Sequence, residues 1–356
     1  MNHREKIIAV VKGGDPGIIP SYRECSMDVS SLKGLLPKSS GDHIEDSIRL
    51  AEFFDNSVCS VSIGIMNETI SRNENHHIYR CETGVVWEEH YKPTFFKHAR
   101  DFPVNSPSEA LDFKMPEVKN KKRYDKEKIK ADVQTFHDRG YFVDGYVPGA
   151  WQMIYYYMTS FDNILAWMAI EPDAAESLFR EAARFSLDAA FELLDCGVDC
   201  IFTGSDFGSG RSLLFSPAMF RKYAREWIDD IARMCHKKGA FLQMHSHGHI
   251  QELMDDMVEA GIDILNPVGP SDYNDLAMFK KRWGSDITFS GGISTTVGSM
   301  TENEIAAHVR EVMDIGRVGG RFFPRSESGL PNMSGGKLRV FLETVKRERL
   351  KGYLFT

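Results

Sequence analysis

The sequence has no run of 18 apolar residues, no paired Cys-x-x-Cys, no His-Glu-x-x-His and no Gly-x-Gly-x-x-Gly after an early strand. Each absence removes a class. A bilayer-spanning helix needs about 18 or more apolar residues, so no membrane association is expected. The six cysteines, Cys25, Cys59, Cys81, Cys196, Cys200 and Cys235, are scattered over 356 residues, which argues against a disulfide framework and for a reducing compartment. The amino-terminal residues lack the apolar core of a secretion signal, and a cytoplasmic location is the expectation. The glycines at 204, 208 and 210 are not followed by the Lys-Ser/Thr of a phosphate loop. Positive charge is also short: 43 basic against 51 acidic residues give a net charge of -8, which argues against an extended nucleic-acid surface.

What is present suffices for a large core, since 42% of the residues are hydrophobic. Residues 1 to about 135 read as irregular, with frequent prolines and the charged run Lys119 to Lys128, taken as a solvated connection or helix face. Within this part, residues 50–54 and 58–64 suggest a helix end followed by a strand. From residue 141 the pattern becomes regular. Strands are predicted at 141–147, 198–203, 240–245, 262–266, 286–290 and 320–323, and helices at 173–195, 217–237, 250–260, 272–283, 302–314 and 334–348. Ser216-Pro217 and Thr301 to Glu304 look like helix starts; Gly197, Gly239 and Gly261 look like helix exits. Alternating strands and helices imply a parallel sheet. The expected fold is α/β, a single (β/α)8 TIM barrel with an irregular amino-terminal extension. Residues 1–135 would hold that extension and the first barrel elements, and residues 136–356 the remainder.

In such a barrel the chemistry collects at the carboxyl ends of the strands. The densest signal there is Phe241-Leu-Gln-Met-His-Ser-His-Gly-His249, where His245 and His247 are two residues apart and an extended segment points them the same way. Imidazoles suit several transition metals, and Glu327 could add a carboxylate oxygen. The bland alternative is a core histidine ending a strand, followed by a polar turn. His249 would fall in the first turn of the next helix. Asp206 follows another strand and could orient a substrate or a metal-bound group. Arg211 could receive a substrate carboxylate or simply face water. Asn266 could offer an amide to a substrate, Ser290-Gly-Gly-Ile293 could bring backbone close to it, and Arg321 and Arg325 could balance acidic groups. Asp206, His245 and His247 are thus the catalytic candidates, and Arg211, Asn266, Arg321 and Arg325 the substrate-binding ones. Trp151 and Tyr155 to Tyr157 read as packing residues, and Tyr353-Leu-Phe as apolar enough to dock.

Several segments, in this order, resemble the uroporphyrinogen decarboxylase superfamily, which includes components of cobalamin-dependent methyltransferases. They are Arg4 to Pro20, Asp206-Phe-Gly, Ser216-Pro-Ala-Met-Phe, His245-Ser-His-Gly-His-Ile, Ala260 to Pro267 and Phe289-Ser-Gly-Gly-Ile293. The resemblance implies a β/α barrel. The methyltransferase branch carries His-x-Cys where this chain has His245-Ser-His247, and a second cysteine near Ser328. His245 then matches a zinc-binding histidine, while His247 and Ser328 replace thiolates. Neutral serine is a poor ligand, which makes Glu327 the better candidate.

The branch further implies zinc or another divalent transition metal, with a methyl group moving between a corrinoid on a separate protein and a small acceptor. The decarboxylase branch implies a carboxy-lyase instead, although the region around Arg23 lacks that branch's arginine-rich motif. A third reading is a non-catalytic corrinoid- or metabolite-binding protein. A small-molecule substrate is expected in the first two readings, and a homodimer is compatible with all three.

Overall fold

The computed structural model describes residues 1–22, 34–92 and 96–355; Cys25, Arg23 and Pro93, singled out in the sequence, lie outside these. Seven parallel strands form the main sheet: β1 (Val58–Ser62), β6 (Phe142–Pro148), β7 (Cys200–Gly204), β8 (Phe241–His245), β9 (Ile264–Asn266), β10 (Thr288–Ile293) and β11 (Phe322–Ser326), neighbours in that order. Every pairing in this sheet is parallel. Helices supply the crossovers, among them Pro172–Asp195, Arg225–Lys237, Leu276–Trp283 and Glu302–Gly316, and Gly335–Arg349 follows the last strand.

The helix boundaries follow the local chemistry. Ser216 and Thr301 cap their helices through their side chains, Thr301 in a reciprocal pair with Glu304. Gly197, Gly239 and Gly261 leave helices with φ near +90°, +73° and +87°, a conformation that costs other residues a Cβ clash. The helix expected over 217–237 is broken at Ala224 into Pro217–Tyr223 and Arg225–Lys237.

The sealed eight-stranded barrel is corrected to a seven-stranded sheet curled into an open half-barrel. No eighth strand closes it among the described residues. Tyr22 stacks on Phe323 of β11 at 4.7 Å, tilts against Phe142 of β6 at 6.1 Å, and donates its hydroxyl to Gln243 Oε1 of β8 at 2.6 Å. One ring thus touches strands from both flanks and the middle of the sheet, which shows how far the sheet curls.

The amino-terminal third is also more ordered than its composition suggests. After β1 the chain makes an antiparallel meander of β2 (Asn67–Arg72), β3 (His76–Cys81), β4 (Val86–His90) and β5 (Phe96–Asp101). Tyr79, Cys81, Val85 and Trp87 of this small sheet pack with Tyr156 and Tyr157 of helix Ala150–Tyr157. That helix follows the carboxyl end of β6, so the meander stands beside the mouth of the half-barrel. Tyr353 docks as expected, donating to the Phe322 carbonyl at 2.5 Å. Among the described residues, no helix is long and apolar enough to cross a membrane.

Candidate active site at the strand carboxyl ends

His245 is the last residue of β8 and Asn266 the last of β9, and the two are register partners. Parallel pairing therefore sets their side chains together, and His245 Nδ1 lies 2.8 Å from Asn266 Oδ1. The same oxygen accepts from Arg325 Nη1 at 3.1 Å, while Asn266 Nδ2 donates to the Ser290 carbonyl at 3.0 Å. Asn266, fully buried, thus joins β8, β10 and β11 through one amide.

Beyond β8 the chain turns sharply. Asp206 Oδ1 accepts the His247 backbone N–H at 2.8 Å and lies 3.9 Å from His245 Nε2. Gly208 and Gly248 lie so close that a Cβ on either would collide with the other's backbone, and Gly248 has φ of +83°. His247 Nδ1 meets Asp272 Oδ2 at 2.9 Å, and Gly248 N–H donates to Asp272 Oδ1. The His245 and His247 rings are 4.6 Å apart and perpendicular.

Two neighbouring imidazoles thus have opposite tendencies. Burial, reinforced by the charge on His247, pushes His245 down to about 4. Burial acts against the charged form of His247 as well, but the hydrogen bond and charge of Asp272 outweigh it and raise its pKa. Glu327, next after β11 and 1% exposed, is pushed up to about 7 by burial, partly offset by the Ser271 N–H that donates to its Oε2 at 3.1 Å. Its Oε1 is buried without a hydrogen-bond partner and lies against Gly269, where any Cβ would collide with it.

The structure brings Asp206, His245, His247, Asn266, Arg325 and Glu327 to one end of the sheet. Arg211 sits on the lip, its guanidinium 4.7 Å from the centre of the Tyr273 ring. Arg321 is placed elsewhere: it precedes β11, at the opposite end of the strands, where Nη1 donates to the Val11 carbonyl. An arginine one position before a strand faces the amino end, so proximity in sequence to Arg325 misleads. His249 rests on the Tyr273 carbonyl at 3.0 Å, just outside the cluster.

Ser271 and Asp272, which orient Glu327 and His247, were not anticipated. They lie in a short 3-10 turn, Pro270–Asp272, whose Pro-Ser-Asp sequence reads as an ordinary turn. The metal question also divides. His245, His247 and Glu327 do not form a group with ligand atoms within 4.8 Å of one another; among the described residues, His76, Glu88 and His90 do. Their signal in sequence was the spacing of His76 and of Glu88-Glu-His90, which carries weight only once β3 and β4 are paired.

Comparison with known proteins places the chain. The sequence model described as uroporphyrinogen decarboxylase (URO-D) matches residues 103–347. No curated protein matches it in sequence. A solved structure described as a methyltransferase from Methanosarcina mazei superposes with a TM-score of 0.70 at 14% identity, covering 98% of each chain. A B12-independent methionine synthase from Shewanella sp. W3-18-1, in complex with selenomethionine, gives a TM-score of 0.50 at 11% identity over 94% of each chain. At such identities these likenesses describe a shared fold.

Proposed function

This chain belongs to the uroporphyrinogen decarboxylase family, and from that premise we propose that it is a carboxy-lyase acting on a small polycarboxylate, of which a porphyrinogen is one example. The observation that carries the reading is Glu327, a carboxyl buried at the strand ends with one oxygen unpartnered, in the same cluster as a buried arginine. Arg325 binds a substrate carboxylate that is retained, since a guanidinium matches that geometry with two donors. The leaving carboxylate sits away from it. When its C–C bond breaks, carbon dioxide departs and the electron pair remains on the substrate carbon.

That carbon then needs a proton, and Glu327, pushed up to about 7 because burial disfavours its anion, still carries one in a large share of molecules near neutral pH. His247, whose cationic form Asp272 favours, stabilises the electron pair as it forms, and solvent later returns the proton to Glu327. Asp206 holds the His247 backbone in place. The test is carbon dioxide release from a panel of polycarboxylates, a porphyrinogen included, with deuterium incorporated at the product carbon in heavy water. Glu327→Gln should lose at least about 100-fold in kcat; full activity in that variant would overturn the role of Glu327.

One observation favours a second reading. His245 and His247 both have Nδ1 engaged, by Asn266 and Asp272, which leaves Nε2 as the remaining ligand atom of each ring, and an oriented Nδ1 is the usual support of a metal-binding imidazole. To hold zinc or another divalent transition metal together with Glu327 they would have to close up, since the three ligand atoms do not lie within 4.8 Å of one another. Such an ion acts as a Lewis acid that lowers the pKa of a bound acceptor. The chain would then be a methyltransferase-like enzyme serving a separate corrinoid protein, a reading to which the methyltransferase from Methanosarcina mazei lends its fold. Elemental analysis of protein purified without chelator, beside His245→Ala, separates the two readings.

A further inference from the structure

The antiparallel meander has two chemically different faces. One packs its aromatic residues on Tyr156 and Tyr157; the other carries His76, Glu88, His90 and His98. Period-2 alternation puts Glu88 and His90 on the same face of β4. Register does the rest: His76 is directly opposite His90, and Glu88 directly opposite His98. Three adjacent strands therefore converge on one carboxylate.

The two oxygens of that carboxylate have separate neighbours. Glu88 Oε1 lies 2.5 Å from His76 Nε2 and 3.1 Å from His90 Nε2. Glu88 Oε2 faces His98 Nε2 at 3.5 Å and accepts from the Arg100 guanidinium. Arg100 is thus confined to Oε2, and Oε1 with the two imidazoles leaves a three-atom face.

We propose that His76, Glu88 and His90 bind one divalent transition-metal ion of the zinc class, distinct from the cluster at the strand carboxyl ends. Two imidazoles and one carboxylate suit zinc, nickel or copper(II) and do not suit calcium or magnesium, which take oxygen ligands. Ligand bonds of about 2.0–2.1 Å in a tetrahedron put ligand atoms roughly 3.4 Å apart, and all three atoms already lie within 4.8 Å of one another. Small side-chain rotations separate His76 from Glu88 enough to admit the ion. The fourth position falls to His98 or water. His90 and His98 are both 40% exposed, so the ion can enter from solvent. Once bound, it ties β3 and β4 together and stiffens the wall beside the mouth.

The experiment titrates zinc by calorimetry, and cobalt(II) by visible absorption, into the full chain carrying His245→Ala and His247→Ala. This background removes the other histidine cluster and makes the result independent of the proposed carboxy-lyase activity. About one equivalent should bind, the cobalt bands should indicate four-coordination, and melting should shift upward. Adding His90→Gln or His76→Gln should weaken binding at least about tenfold, as loss of one of three protein ligands does. No saturable binding in the background chain, or unchanged affinity in a folded His90→Gln variant, overturns the site. If neither variant folds, histidine modification by diethyl pyrocarbonate in the wild-type chain decides: zinc should protect His76 and His90, and equal modification with and without zinc overturns it.

Discussion

Strands β7, β10 and β11 are buried along their whole length, whereas β2 is exposed along its whole length and β5 is only partly covered. The parallel strands lie between helices and the curled interior, so both faces favour apolar residues, and polar ones such as Asn266 and Arg325 are held by hydrogen bonds between strands. The meander covers one face with helix Ala150–Tyr157 and leaves the other only partly covered, so its strands mix tyrosine and tryptophan with histidine, glutamate and arginine. Burial on both sides produces a pattern recognisable in isolation. Burial on one side, in strands of five or six residues, produces a pattern easily mistaken for an irregular segment.

The comparison predicts different responses to loss of an aromatic residue. Phe289→Ala, in fully buried β10, should cost about 3–5 kcal/mol and lower the single melting transition. Trp87→Ala should chiefly loosen the meander, seen as faster amide exchange confined to residues 67–101. If both variants lose global stability equally, the two regions form one cooperative unit and the distinction fails.

Next in size is an effect of pH at the strand ends. Glu327 has its pKa raised from 4.5 to about 7 by burial, so the folded chain holds a proton that the unfolded chain releases. The stability this supplies is fully present below pH 4.5 and is lost as pH rises through 7. Glu327→Gln lacks that dependence. Denaturant titrations at pH 4.5 and 8 should show the variant gaining on the wild type by up to about 3 kcal/mol at the higher pH; parallel pH profiles would mean that the group titrates normally.

Asn266→Ala removes the amide shared by His245, Arg325 and Ser290. A loss of about 1–3 kcal/mol follows from leaving buried polar groups unsatisfied. Catalysis should fall more than stability, because both His245 and Arg325 lose their alignment; a variant with unchanged kcat would show that the network is structural only. The smallest effect belongs to Arg321→Ala. Its partner is the Val11 carbonyl at the far end of the strands, so kcat and KM should stay within about twofold and stability should drop by roughly 1 kcal/mol. A large loss of activity would return Arg321 to the site.

The alternation of strands and helices from residue 141, the caps at Ser216 and Thr301 and the glycine exits were legible in the sequence because each depends on residues within one or two turns. His245 was legible as a strand-end residue for the same reason. The meander was not, since β2 to β5 are short and half-covered. Nor were the roles of Asp272 and Ser271, which act on His247 and Glu327 from 25 and 56 residues away.

The amino-acid sequence by itself thus determined the alternation of strands and helices from residue 141 and the place of His245 and Asn266 at strand ends, because hydrophobic period and capping are local properties. Only the tertiary structure decided that the sheet stays open around Tyr22, that Arg321 and Arg325 face opposite ends, and that His76, Glu88 and His90 meet across two strands. Those outcomes rest on register and curvature, set by packing between segments far apart in the chain, and no local pattern encodes them.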